Sequence, residues 1–276
     1  MDPASSSARL EVVFIVGCAR SGTSILGESI GAQPEVSYIY EGSPLWRRAF
    51  PDRPDDRLSP GDADDREAVE LVDHEFRKAR DREGTRIVVE KNPKHTLRIG
   101  FLDRAFPGCK IVHIIRDGRD AVASLMFRNR GSEWGHLKIP GWRKLLEDFP
   151  GANHIRCAHQ WRDSVNAARS EGRALGAQRY RELRYEELLG SPVETTARVV
   201  EFLGLSIEAS VREASGRIQN ETAGSYHARG QVRHFVDNHA RRIGRYKENL
   251  TSSQLCDVTS VCGELLRELG YDDTSG

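Results

Sequence analysis

Leu10-Glu11-Val12-Val13-Phe14-Ile15-Val16-Gly17-Cys18-Ala19-Arg20-Ser21-Gly22-Thr23-Ser24 decides how this chain is read. Leu10 to Val16 is a nearly continuous apolar, β-branched run, the pattern of a strand covered on both faces. The run stops at Gly17, and a helical pattern with Ile25, Leu26 and Ile30 starts near Gly22. In a strand–turn–helix context, successive N–H groups of the turn converge on an anion, helped by the dipole of the helix that follows. Gly17 allows the tight turn, and Gly22 lets the chain approach a ligand oxygen. Ser21, Thr23 and Ser24 add hydroxyls, and Arg20 adds a bidentate positive charge. The spacing is that of a Walker A loop, but Thr23 stands where the lysine belongs. No aspartate clearly ends a strand to hold Mg²⁺. The turn therefore predicts phosphate binding without Mg²⁺, with Arg20 in place of the lysine, and disfavours a nucleoside-triphosphate hydrolase.

Outward from this turn, strands are expected at Arg86–Val89, Lys110–Ile115 and near Gln178–Leu183. Helical stretches lie between and after them, at His154–Arg173, from Pro192 to about Leu203 with Ser191 as N-cap, and over Thr251–Leu269, which starts with a cap-like Thr-Ser-Ser. Strands alternating with helices predict an α/β fold: three layers, α/β/α, around a central parallel sheet. Residues 1–276 read as one domain, with flexible termini at 1–9 and 272–276. Two stretches, 51–66 and 129–153, read as variable loops, either lids or surface insertions. Trp134, Trp142 and Phe149 in the second either line an acceptor pocket or pack in the core.

A second informative block starts at the third strand, Lys110-Ile111-Val112-His113-Ile114-Ile115-Arg116-Asp117-Gly118-Arg119-Asp120. Arg116 ends the strand, Ser124 follows eight residues later on a helix, and Arg128 shares the helical face of Ser124. These three side chains can meet one phosphate at the carboxyl edge of the sheet, where open α/β folds bind ligands. A strand-end arginine paired to Asp117 or Asp120 is the plainer alternative.

Composition narrows the class. The 276 residues are 38% hydrophobic and 30% charged, ordinary for a globular protein. Lys+Arg and Asp+Glu are equal at 41 each, so there is no global footprint for nucleic acid or an anionic membrane. No apolar run approaches the roughly 20 residues of a membrane helix. The polar start, Met1 to Arg9, lacks an apolar signal core. The five cysteines are scattered, without a CxxC pair, and read as buried free thiols in a reducing compartment. Together these predict a cytoplasmic protein.

The two blocks together resemble the sulfotransferases that use 3'-phosphoadenosine 5'-phosphosulfate (PAPS). Further stretches are similar to the tyrosylprotein branch of that family: Gln33-Pro34-Glu35-Val36 followed by Glu41, Glu90-Lys91-Asn92-Pro93, Tyr185-Glu186-Glu187-Leu188 followed by Pro192 and Phe202-Leu203, Ile243-Gly244-Arg245-Tyr246, and Leu269-Gly270-Tyr271. The resemblance spans about the whole chain, with gaps at both long loops. It implies the P-loop-like sulfotransferase fold, with PAPS as co-substrate and no metal. Arg20, Ser21, Gly22, Thr23 and Ser24 would grip the 5'-phosphosulfate. Arg116, Ser124 and Arg128 would grip the 3'-phosphate, with Tyr185 at the adenine end, Arg245 on the phosphates, and Gly230 to His239 closing over the nucleotide. Glu41 matches the branch's general base, and Lys91 would neutralise the transferring sulfuryl group. A histidine base, as in the small-molecule branch, stays open at His95, His136 or His159, while His113 sits in a strand and reads as core. The expected partner is an acceptor hydroxyl, on a small molecule rather than a protein tyrosine or polysaccharide, and a homodimer stays open. The competing readings are a P-loop kinase or NTPase and an inactive nucleotide-binding module.

Overall fold

Every residue of β1 (Glu11–Val16) after Glu11 is buried, because helices cover the strand on both sides. Val12, Phe14 and Val16 join one apolar cluster, and Val13 and Ile15 join another. The computed structural model describes residues 10–128, 134, 137–220, 224–228, 231–235 and 242–271. Around β1 lie β3 (Ile87–Lys91) and β4 (Lys110–Ile115), with β2 (Val36–Tyr40) and β5 (Tyr180–Arg184) at the edges. The five strands run in the order β2-β3-β1-β4-β5, and every pairing is parallel.

The connections supply the outer layers. They are α1 (Thr23–Gly31), α2 (Ser43–Ala49), α3 (Arg66–Glu83), α4 (Ile99–Ala105), α5 (Gly118–Arg128), α6 (Trp142–Asp148), α7 (Asn153–Arg173), α8 (Tyr185–Gly190), α9 (Pro192–Leu203) and α10 (Ala209–Asn220). A short antiparallel pair, β6 (Gly224–Ala228) and β7 (Gln231–Phe235), precedes α11 (Tyr246–Asn249) and α12 (Ser252–Glu268). Trp46, Phe76 and Phe101 of α2, α3 and α4 pack on the Phe14 side of the sheet. Leu26 and Ile30 of α1, with Leu188, Val199 and Val200 of α8 and α9, pack on the Ile15 side. This is the three-layer α/β/α arrangement. A third cluster joins α5, α7, α11 and α12 beneath Cys18 and Ala19.

The expected elements are present, with three departures. β3 extends two residues further, through Glu90 and Lys91, both fully buried. Their charges end the apolar run in sequence, while partners 44 and 50 residues away satisfy them in space. β2, which is not among the expected strands, pairs with β3 along its whole length. The 51–66 stretch and the described residues of 129–153 send apolar side chains into the interior. Leu58, Leu137 and Ile139 are buried, and the first stretch holds a 3₁₀ turn at Pro60–Asp64. Asp56 ties the two together: its N–H donates to the Lys138 carbonyl at 2.8 Å, and its carboxylate accepts from the Lys138 N–H at 2.7 Å and from Lys94 Nζ at 2.6 Å. Among the caps, Thr251 closes a capping box with Gln254, whereas Ser191 makes no side-chain cap bond. The expected flexible termini lie outside the described residues, as does half of Gly230–His239, of which only the backbone of Gln231–Phe235 is described.

All five cysteines are free, and four are buried. Among the described residues no helix is long and apolar enough to cross a membrane.

Candidate active site

Parallel pairing brings the carboxyl ends of all five strands to one edge. The Gly17–Gly22 turn follows β1, Glu41 follows β2, Lys91 ends β3, Arg116 follows β4 and Tyr185 follows β5. These residues, scattered over 169 positions from Gly17 to Tyr185, thus gather on one rim.

The turn after β1 is a close-fitting piece of backbone. Arg20 and Gly22 both adopt positive φ, 75° and 90°. A Cβ added at Gly17 would lie 2.4 Å from the Ile114 carbonyl, so the turn touches β4 directly. At Gly22 the Cβ would lie 2.4 Å from a ring carbon of Tyr185. Gly22→Ala therefore combines a left-handed φ with a hard collision, a strain on the order of 1–3 kcal/mol before repacking. It is expected to lower the melting temperature in a circular-dichroism scan and to abolish binding of anions at the turn; an unchanged melt would disprove the contact. The first N–H groups of α1 have no acceptor within the helix and face the turn. Ser21 Oγ is buried and has no hydrogen-bond partner among the described residues.

The two blocks separated in sequence meet here. Arg20 Nε donates to Ser124 Oγ at 3.1 Å, and Arg116 Nη1 donates to the Arg20 carbonyl at 3.0 Å. Arg116, itself buried, also donates through Nη2 to the Arg242 carbonyl at 2.6 Å and packs over the Tyr185 ring at 4.7 Å. Beside it opens a cleft of about 700 Å³, lined by Arg20, Arg116, Arg242 and Arg245, with Ser124 and Asp120. Four guanidiniums against one carboxylate make this a strongly anion-attracting surface on a chain of zero net charge. Arg242 was absent from the sequence reading. Its signal was the Arg-Arg pair at 241–242, just before the Ile243-Gly244-Arg245-Tyr246 stretch. Tyr185 is buried between Gly22 and Arg116, so it supports the turn from below instead of lining the cleft. The Arg128 side chain lies outside the described residues.

Glu41 sits at the end of β2 with φ 44°. Its N–H donates to the Lys91 carbonyl at 2.8 Å, and its Oε1 accepts from Lys91 Nζ at 2.6 Å. Lys91 Nζ also lies 3.6 Å from the centroid of the Tyr40 ring. An unpaired buried ammonium would cost several kcal/mol. The carboxylate, with a ring contact of about 1–2 kcal/mol, offsets that cost. Glu41 itself is 39% exposed and reaches the rim, whereas Lys91 is not exposed at all. The next turn residue is held as well: Gly42 N–H donates to Glu90 Oε1 at 3.1 Å, and Trp46 Nε1 donates to the same oxygen at 2.8 Å.

Three of the candidate histidines already have partners inside the protein. His113 Nδ1 bonds the Tyr180 hydroxyl at 2.7 Å inside the core, where burial pushes its pKa down to about 3. His95 is buried against Glu90 at 3.0 Å, and burial holds it below its ordinary value. His159 bonds Arg162 and faces the Phe149 ring. His136 lies outside the described residues. Trp134 and Trp142 pack on each other, with ring centroids 5.7 Å apart, against a small apolar cluster that holds Leu137 and Ile139. Among the described residues no three His, Cys, Asp or Glu side chains cluster to hold a metal ion.

Comparison with known proteins adds ancestry to this geometry. A model of the "Sulfotransferase family" matches residues 12–209. Protein-tyrosine sulfotransferase 2 of Gallus gallus is 23% identical over 215 residues, covering 72% of this chain and 53% of that protein. Omega-hydroxy-beta-dihydromenaquinone-9 sulfotransferase Stf3 of Mycobacterium bovis is 28% identical over 191 residues, covering 67% of this chain and 41% of that protein. The chain thus spans about half, or less, of the length of these curated relatives. The solved sulfotransferase domain from the curacin biosynthetic pathway superposes with a TM-score of 0.62 at 15% identity, over 94% of this chain and 98% of that one, a likeness of fold.

Proposed function

Because this chain belongs to the sulfotransferase family, we propose that it moves a sulfuryl group from PAPS to a hydroxyl of a small-molecule acceptor, releasing adenosine 3',5'-bisphosphate. The observation that carries this reading is the junction of two anion-binding blocks, 104 residues apart, through Arg20 and Ser124 beside a four-arginine cleft. A donor with phosphate at both ends of its ribose needs two such sites on one sheet edge.

In this reading the N–H groups of the turn, Arg20 and the hydroxyls of Ser21, Thr23 and Ser24 hold the 5'-phosphosulfate. Arg116, Ser124, Arg128, Arg242 and Arg245 serve the 3'-phosphate. Glu41 is the base. Lys91 occupies its Oε1, so the acceptor proton goes to Oε2. The acceptor oxygen forms a bond to sulfur as the bridging S–O bond breaks, and that electron pair leaves on the phosphate. Guanidiniums and N–H dipoles stabilise the leaving charge. β3 alone separates β2 from β1, so the backbone at Glu41 stands about two strand spacings, ~10 Å, from the turn. That leaves room for a sulfuryl group and an acceptor oxygen in line. Full burial of Lys91 favours a role in orienting Glu41 over direct contact with the sulfuryl group. A cytoplasmic setting belongs to the same proposal, supported by the five free thiols.

Thermal shift tests the reading against a Mg²⁺-dependent kinase. Adenosine 3',5'-bisphosphate at ~100 times its Kd should stabilise the fold by about 2.7 kcal/mol. For a chain of this size that raises the melting temperature by about 5–10 °C. The shift should be the same with EDTA present. Stabilisation by ATP with Mg²⁺ and not by the bisphosphate would sink the proposal.

A further inference from the structure

Asp120, in the first turn of α5, is only 2% exposed. A buried carboxylate is expensive unless it is paired and hydrogen-bonded, so its partners show what it holds. Its Oδ2 accepts the Gly244 N–H at 2.8 Å and its Oδ1 accepts the Tyr246 N–H at 2.9 Å. Both oxygens are thus spent on the backbone of one short stretch more than 120 residues away. Arg116 completes the clamp: it lies 3.6 Å from Asp120 Oδ2 and donates to the Arg242 carbonyl. The stretch so held turns through a left-handed Gly244, φ 77°, and Arg119 covers the ring of Tyr246 at 4.4 Å. Two side chains of that stretch, Arg242 and Arg245, line the anion cleft. A carboxylate that served only to cap α5 would spend its oxygens on N–H groups of α5. These go to the arginine-bearing stretch instead.

We infer that Asp120 is a positioning residue for nucleotide binding: it clamps residues 242–246 so that Arg242 and Arg245 are presented together to the 3'-phosphate. The inference rests on the nucleotide reading of the cleft. It assigns Asp120 no contact with the ligand, so its effect must run through the two arginines.

Isothermal titration with two probes separates the possibilities. The probes are adenosine 3',5'-bisphosphate and adenosine 5'-monophosphate, which lacks the 3'-phosphate. In Asp120→Asn one oxygen becomes a donor and one of the two backbone bonds is lost. Bisphosphate affinity is expected to fall by about 10–100-fold, the range for a lost hydrogen bond to a charged group, with monophosphate affinity unchanged. In an Arg242→Gln, Arg245→Gln background the same substitution should cost less than about twofold, because the residues it acts through are gone. Unchanged bisphosphate affinity in Asp120→Asn, an equal loss for both probes, or losses that simply add in the triple variant would each overturn the assignment. Failure of the unaltered protein to bind the bisphosphate would overturn the nucleotide reading, and the Asp120 role with it. Amide hydrogen exchange of the unaltered, ligand-free protein needs no variant: Gly244 and Tyr246 should be protected, and exchange at free-peptide rates would overturn the clamp.

Discussion

Glu41→Gln is expected to lower turnover by about 10²–10⁴-fold, the usual contribution of a positioned base, while leaving affinity for adenosine 3',5'-bisphosphate unchanged. The substitution is nearly isosteric and spares every contact that shapes the site. The Glu41 N–H still donates to the Lys91 carbonyl, and the new amide oxygen can still accept from Lys91 Nζ. The Gly42 N–H remains on Glu90. Glu41 does not line the four-arginine cleft, so the nucleotide loses no partner. What disappears is the capacity to take a proton. The experiment pairs single-turnover transfer to a screened alcohol or phenol acceptor with titration of the bisphosphate and a thermal melt. A matching melt and Kd with lost turnover assigns the proton transfer to Glu41. Retained turnover removes Glu41 from the role and leaves transfer resting on electrostatics around the leaving phosphate.

What was legible in the sequence follows from where the determining contacts lie. β1 and β4 are read to within a residue because both faces of each strand are covered, so local apolarity is enough. The turn at Gly17–Ser24 is legible because its geometry is set within eight residues. Local patterning fails where burial is secured at long range. Glu90 and Lys91 look like the polar end of a strand, yet Trp46, His95 and Glu41 let them be buried. β2 is short and at the edge, and Ser37 interrupts its apolar pattern while bonding Glu83. The Pro- and Asp-rich composition of 51–66 hides one apolar anchor, Leu58, and one hub, Asp56, whose partners lie at Lys94 and Lys138. In the site, residue types were legible and roles only partly so. Arg116 was expected as a phosphate ligand. Its two terminal nitrogens donate to backbone carbonyls on either side of the cleft, which no spacing rule predicts.

That bridging role makes Arg116→Ala the most damaging single change expected in the cleft. It removes the bonds to the Arg20 and Arg242 carbonyls and the packing on Tyr185, and it leaves Asp120 buried without its cation. Breaking one side of a buried ion pair costs about 3–5 kcal/mol, a fall of roughly 6–20 °C in melting temperature for a chain of this size. Bisphosphate binding should drop below detection, since the turn and the 242–246 stretch lose their common strut. Arg116→Lys should not rescue it, because a single ammonium cannot span both carbonyls as the guanidinium fork does. The pH dependence has a definite sign. Burial raises the Asp120 carboxyl above its ordinary value, with Arg116 pulling the other way. Without Arg116 the folded-state value rises further, so the folded protein takes up a proton before the unfolded chain does. Stability then falls as pH rises through that window and recovers as pH is lowered, once Asp120 is neutral. The melting deficit of Arg116→Ala relative to the unaltered protein should therefore narrow as the pH is lowered from neutrality. A deficit that stays constant or widens on acidification would show that the uncompensated Asp120 charge is not what makes the loss of Arg116 costly.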